Sequence, residues 1–331
     1  MAFAGNGAFF CSDPCYRAGT DDGPLYSCNS FLVNGMVRHV GGGVYAVALE
    51  SSEIVEASLR GRLKLEELEG AQVVIGDRVR VEAVGDEAHV IEEVLPRVTT
   101  ITRSASGGRS IKVLVANADR LLIVVASAQP KPRRDLIDRL LVVGELGGVT
   151  PVIVVNKMDL HGGAEVAKGL EQVYLPLGYD VLRVSALAGE GMDQLAEQFC
   201  EGIAALAGPS GVGKSSLVNT LEPEQALRTG ELSRKRGTGR HTTVSSRLIQ
   251  LRCGGLVADT PGFSDVGVWG VPQEELDHCF PELRALTPSC RFRECSHLHE
   301  PDCAVRQALD DGAIDPGRFE SYRTLYQESG S

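Results

Sequence analysis

The chain has 331 residues, 43% hydrophobic and 23% charged, with a net charge of −11 at pH 7. That length predicts two or three domains rather than one. No apolar run reaches the ~18–20 residues of a membrane span, and no basic segment precedes an apolar stretch at the N-terminus, which argues against a helical membrane protein and a secretory signal. A cytoplasmic protein without membrane contact is the expectation. Nine cysteines, an odd number unevenly spread, do not make a secreted disulfide framework; clustered cysteines in such a chain point to a metal.

Residues 1–35 are rich in Gly, Asp, Ser and Cys without sustained periodicity and read as a poorly ordered extension. Met36, where clear β patterning begins, is an alternative start of the native chain. Cys11, Cys15 and Cys28 offer three thiols with no obvious fourth ligand. Over 36–96, strands are predicted at Val44–Leu49, Glu53–Leu59, Asp77–Val84 and Ala88–Val94, separated by glycine turns and without helices. That pattern suggests a small barrel, either an OB-fold or another structural barrel. The stretch 97–116 reads as a linker, carrying Arg97, Arg103 and Arg109. From Asn117 the rhythm becomes strand–helix–strand. Apolar runs at Leu121–Ala126, Val152–Val155, Val181–Val184 and Ile203–Ala207 alternate with helical stretches near 133–146, 164–175 and 191–200. This predicts βαβ units and a mostly parallel sheet covered on both faces.

The segment Gly208-Pro-Ser210-Gly211-Val212-Gly213-Lys214-Ser215 matches the P-loop pattern in full, between an apolar strand and a helix-competent run, Ser215–Leu221. Glycines let backbone N–H groups curl around phosphate oxygens at a helix N-terminus. Lys214 is expected on the β/γ-phosphates, Ser215 on Mg²⁺, and Ser216 beside them. Asn156-Lys157-Met-Asp159 follows a buried strand, where an Asp carboxylate can accept from the N1–H and 2-amino groups of guanine. Adenine lacks that donor pair, so GTP and GDP are preferred over ATP. Ser185-Ala186 fits the companion loop that packs on the base. Asp259-Thr-Pro-Gly262 follows the run Leu256–Ala258; Asp259 fits the acid that helps hold Mg²⁺, and Gly262 a γ-phosphate contact. Between these motifs lies Gly239-Arg-His241-Thr242-Thr243, one of whose threonines is expected to cover the metal. Over 228–252 seven basic residues face Glu231 alone, a basic stretch in an acidic protein that suits nucleic acid. The rival class, a P-loop ATPase or small-molecule kinase, is disfavoured by Asn156–Asp159. An inactive RNA-binding module is disfavoured by the intact Lys214, Ser215 and Asp259.

The base-reading loops come before the phosphate and switch loops, the reverse of ordinary GTPases. A site of this kind survives such a circular permutation when the old termini are joined and new ones opened in surface loops. Beyond it, Cys290, Cys295, His297 and Cys303 supply three thiolates and an imidazole within fourteen residues, a closed set suited to structural Zn²⁺. His299 and Cys279 stand as alternative ligands. The expected architecture is a multidomain α/β protein. It comprises an OB-fold-like barrel over 36–96, a linker over 97–116, a circularly permuted P-loop GTPase domain over 117–263 and a C-terminal α-helical zinc-binding domain over 264–331.

Together these residues resemble the circularly permuted GTPases called RsgA (also YjeQ or EngC), over roughly residues 36–326. The resemblance implies a GTP hydrolase that binds the small ribosomal subunit, through rRNA and ribosomal proteins, assists its late maturation and is stimulated by it. A monomer is expected. Phe263 stands where Ras-like GTPases often carry a water-orienting Gln, so slow intrinsic hydrolysis is expected. His241 is the candidate catalytic group, and contact with rRNA is the competing reading of the same residue.

Overall fold

The computed structural model describes residues 32–68, 72–84, 88–104, 111–222, 246–260 and 271–329. A barrel is built from β1 (Leu32–Gly41), β2 (Val44–Leu49), β3 (Ile54–Leu59), α1 (Gly61–Leu68), β4 (Arg78–Val84) and β5 (Ala88–Val94). Its strands run in the order β1-β2-β3-β5-β4, and β4 pairs back onto β1. Strict alternation drives the closure: Val55, Ala57 and Leu59 of β3 point inward while Ile54, Glu56 and Ser58 face out. Val37, Tyr45, Val47, Val79, Val81 and Ile91 complete the interior.

Two expectations for this region need correction. β1 starts at Leu32, four residues inside the predicted extension, and Leu32–Gly35 pair with Glu82–Val79. Gly35 marks a close approach of the strands. A Cβ on it would lie 2.5 Å from Val47 Cγ1. The barrel also carries the helix α1, whose sequence is too polar to show a clear apolar face.

The predicted linker holds a hairpin, β6 (Thr100–Ser104) and β7 (Ile111–Ala116), with Ile101 and Val115 fully buried. The register shift between Ile101 and Thr102 breaks the alternation that would reveal β6 in the sequence.

The α/β region runs β8 (Arg120–Ala126), α2 (Arg134–Gly147), β9 (Thr150–Asn156), α3 (Gly163–Tyr174), β10 (Asp180–Arg183), α4 (Met192–Phe199), β11 (Ile203–Ala207), α5 (Lys214–Leu221), β12 (Ser246–Gln250) and β13 (Leu256–Asp259). Strand order is β10-β9-β8-β11-β13-β12, parallel except for β12. Alternate residues of β8 serve opposite layers. Leu121, Ile123 and Val125 meet α2 and α3, while Leu122, Val124 and Ala126 join the layer of Leu195, Phe199, Leu217 and Val218. A strand buried on both faces explains the continuous apolar runs in the sequence. The antiparallel β12, absent from the sequence reading, pairs with β1 at His39↔Arg247 and Val40↔Ser246, so barrel and α/β sheet are continuous.

Cys200, at the end of α4, and Cys253, in the β12–β13 turn, form a disulfide with Cα atoms 5.2 Å apart. The two lie 53 positions apart, and nothing in the sequence flags the pair.

After residue 271 come α6 (Gln273–Leu276), α7 (Pro281–Arg284), α8 (Ala304–Asp310) and α9 (Pro316–Ser329). Phe280, Leu283, Val305, Tyr322 and Leu325 share one core with α2 and α3. At its centre Arg318, with no exposed surface, donates to Asp138 at 2.8 Å and to Glu282 at 2.7 Å, and lies over the Phe280 ring. Tyr174 and Ser321 hydroxyls also donate to Asp138. Among the described residues, no helix is long and apolar enough to cross a membrane.

Candidate functional site

Every parallel strand delivers its loop to the same edge of the sheet, the carboxyl edge where ligands of open α/β sheets bind. There β9 ends in Asn156, β10 leads to Ser185, β11 leads to Gly208 and β13 ends in Asp259. The structure ties the first three together. Buried Asn156 donates through Nδ2 to the Val212 carbonyl at 2.8 Å and accepts from the Ala186 N–H at 3.3 Å. Ser185 Oγ donates to Asp159 Oδ1 at 2.5 Å, which fixes the carboxylate expected to read guanine. Asn156 is thus a brace between the base loop, its companion loop and the P-loop.

The P-loop geometry explains its glycines. Gly208 has φ +135°, and a Cβ there would sit 2.1 Å from the Val124 carbonyl. Gly213, at φ +99°, leaves room for the Asn156 amide, which a Cβ would approach to 2.3 Å. Val212 is buried between them, while Ser210, Gly211 and Ser216 are exposed at the rim. Lys214 and Ser215 open α5, and Lys214 Nζ donates to the Gly208 and Pro209 carbonyls at 2.6 and 3.0 Å. Asp259 Oδ2 accepts from Arg247 Nε at 3.1 Å, so a cation already stands on the carboxylate expected to help hold Mg²⁺. Gly262, Phe263, His241, Thr242 and Thr243 lie outside the described residues, as do Cys11, Cys15 and Cys28.

The second centre lies on the C-terminal segment. The ligand atoms of Cys290, Cys295, His297 and Cys303 all fall within 4.8 Å of one another. Cys290 Sγ is 3.8 Å from Cys303 Sγ and 3.6 Å from His297 Nδ1, which is 3.4 Å from Cys303 Sγ. A tetrahedron with Zn–S near 2.3 Å and Zn–N near 2.0 Å has edges of about 3.5–3.8 Å. The cluster is consistent with zinc. Of the alternative ligands, His299 is exposed outside it, and Cys279 lends its thiol to the Glu275 carbonyl. Burial, then the nearby Glu145, pushes the Cys279 thiol up to about 12, which keeps it protonated and unreactive. Glu300 caps the loop: burial works against its charge, yet the Ser296 hydroxyl and N–H hold its carboxyl down at about 2.

A family model described as RsgA GTPase matches residues 94–269, more than half of the chain. The chain belongs to the RsgA GTPase family. It is 43% identical over 297 residues to the small ribosomal subunit biogenesis GTPase RsgA of Gemmatimonas aurantiaca, covering 89% of this chain and 96% of that one. The crystal structure of YjeQ from Thermotoga maritima superposes with a TM-score of 0.74 at 32% identity, over 90% of this chain and 98% of that one. The structure of YloQ, a circularly permuted GTPase, gives a TM-score of 0.68 at 29% identity, over 92% and 96% respectively. As an RsgA-family protein the chain is a circularly permuted GTPase, with a five-stranded barrel ahead of the α/β domain and a Cys₃His cluster with helices behind it.

Three supports of this RsgA-type site escaped the sequence reading. Ser127, at the end of β8, donates from Oγ to the Lys157 carbonyl at 2.6 Å and so helps hold Lys157 at φ +63°. His297, turned with Nδ1 toward the thiols, sets Nε2 3.4 Å from Asp277 Oδ2, the carboxylate partner that metal-bound imidazoles usually have. Arg247 is the third. An isolated Ser, Asp or Arg carries no pattern of its own; only the fold makes each a neighbour of a motif.

Proposed function

We propose that this chain is a GTP-driven switch that acts in late maturation of the small ribosomal subunit, binding its rRNA and proteins and hydrolysing GTP in response. The observation that carries the reading is the brace at Asn156, which joins base loop and P-loop across 56 residues of permuted sequence. The names of the similar proteins support the ribosomal part, and the domains follow the expected order of barrel, GTPase and zinc segment.

In this reading Asp159 accepts from guanine, with Ser185 holding the carboxylate in place. Backbone N–H groups of 210–216 and Lys214 bind the phosphates. Ser215 and Asp259 hold Mg²⁺, whose chemistry is to neutralise charge on the β- and γ-phosphate oxygens. The donor set fits, since a hydroxyl and a carboxylate are the hard oxygen ligands that Mg²⁺ takes. Thr242, Thr243 and Gly262 are assigned to closing the site, and His241 to orienting water. The four-ligand Cys₃His centre holds one structural Zn²⁺ per chain.

The base assignment is tested by Asp159→Asn, which turns an acceptor into a donor facing guanine donors. GTP and GDP affinity should fall by at least tenfold with the melting temperature unchanged; equal affinity in both proteins would remove Asp159 from the site. The ribosomal part is tested by co-sedimentation with isolated subunits and a GTP analogue. Selective pelleting with small subunits is expected, weakening as salt rises because basic segments neutralise phosphates. Equal recovery with and without subunits would refute it. His241→Ala should bind both GTP and subunits normally but lose stimulated turnover. Wild-type turnover would exclude the catalytic role, and lost subunit binding would favour the rRNA contact.

A further inference from the structure

β12 is the strand between the barrel and the nucleotide edge, and Arg247 is the residue on it that faces both ways. Its register partners are His39 on β1 and Asp259 on β13. Residues directly opposite in antiparallel pairs project on one face. His39, Arg247 and Asp259 therefore form a row from barrel to carboxyl edge. Within that row the Arg247 guanidinium contacts Asp259 Oδ2 at 3.1 Å. The Arg247 side chain is 55% exposed and that of Asp259 18% exposed, so the arginine can swing into solvent while the carboxylate stays.

We propose that Arg247 is a positioning residue that competes with the nucleotide-borne divalent cation for the Asp259 carboxylate. The inference rests on reading Asp259 as the metal-holding acid. A guanidinium and a hydrated dication a few ångströms apart repel, so full access to Asp259 requires Arg247 to leave. The arginine thus raises the Mg²⁺ concentration needed for tight GTP binding. Because the pair is partly exposed, the competition is modest. Ion pairs of this kind correspond to about a two- to fivefold change in an equilibrium constant.

The test is a Mg²⁺ titration of equilibrium binding, using a fluorescent non-hydrolysable GTP analogue on the full chain. Arg247→Gln keeps much of the stem and removes the charge, and it should lower the midpoint Mg²⁺ concentration about two- to fivefold. Analogue affinity in EDTA and the melting temperature should stay at wild-type values, whereas a purely structural pair would move the melting temperature instead. Arg247→Lys, retaining the charge, should keep the midpoint near wild type. An unchanged or raised midpoint in Arg247→Gln overturns the proposal. Asp259→Asn separates the two levels: it should raise the midpoint if Asp259 is the metal acid. If it does and Arg247→Gln has no effect, only the competition fails. If Asp259→Asn is silent, the assignment of Asp259 fails and the competition with it.

Discussion

Stripping metal from the Cys290, Cys295, His297 and Cys303 centre is expected to unfold the segment around it. Between 287 and 303 the described backbone holds one short turn of 3₁₀ helix, Thr287–Ser289, and otherwise bends and turns. No regular hydrogen-bond ladder orders this stretch. Beyond the Glu300 cap and the Tyr322 hydrogen bond, what orders it is convergence of four side chains, three of them buried. Structural zinc contributes about 10–16 kcal/mol of apparent binding energy in small zinc modules, as much as a whole domain's usual net stability. The purified protein should contain one zinc per chain. After chelation, trypsin should cut at the exposed Arg291 and Arg293 at least tenfold faster, and Tyr322, whose hydroxyl donates to the Ser296 carbonyl, should lose its rigid environment in near-ultraviolet dichroism. Unchanged digestion and dichroism after full metal removal would show that packing alone suffices.

The second large effect is expected at Arg318. Its guanidinium is buried between Asp138 on α2 and Glu282 on α7, with the Tyr174 and Phe280 rings 5.8 and 4.5 Å away. Replacing Arg318 with Met keeps bulk but leaves two carboxylates without their cation. Breaking one side of a buried ion pair costs about 3–5 kcal/mol, because the abandoned charge cannot regain water. Arg318→Met should therefore lower unfolding free energy by about that amount in urea denaturation. Adding Asp138→Asn should recover part of the loss, since it removes one stranded charge; the amide oxygen can still accept from one of the Tyr174 and Ser321 hydroxyls, and the amide N–H can donate to the other. A loss below about 1 kcal/mol in the single variant would mean the cluster is wetter than its burial implies.

These two centres mark where sequence reading succeeds and where it stops. Cys290–Cys303 and Gly208–Ser215 are legible because all the chemistry lies within one short window. The parallel strands are legible because burial on both faces forces continuous apolar runs, as in Leu121–Ala126. Asp138 and Arg318 are invisible by the same logic: each is one charged residue on a helix, and 180 positions separate them. β12 and β6 fail for another reason. Both are five-residue strands mixing polar and apolar residues, which local patterning cannot separate from loop. The extension boundary at 35 fails because Leu32–Gly35 follow directly on a composition-biased stretch, and only their pairing with Glu82–Val79, far along the chain, makes them strand.

The Asp138–Arg318 pair also has a bearing on how the chain is made. Translation at about 5–20 residues per second leaves Asp138 without its cation for roughly 10–35 s after it emerges. During that interval α2 has a carboxylate on the face that the C-terminal helices will cover, and no neutralising group for it. The α/β sheet therefore does not finish its packing when its own last strand, β13, is complete; it finishes when α9 arrives. A chain interrupted before residue 318 would leave uncovered the α2 surface around Asp138 that α9 otherwise meets, a signal that chaperones and proteases can read before any nucleotide is bound.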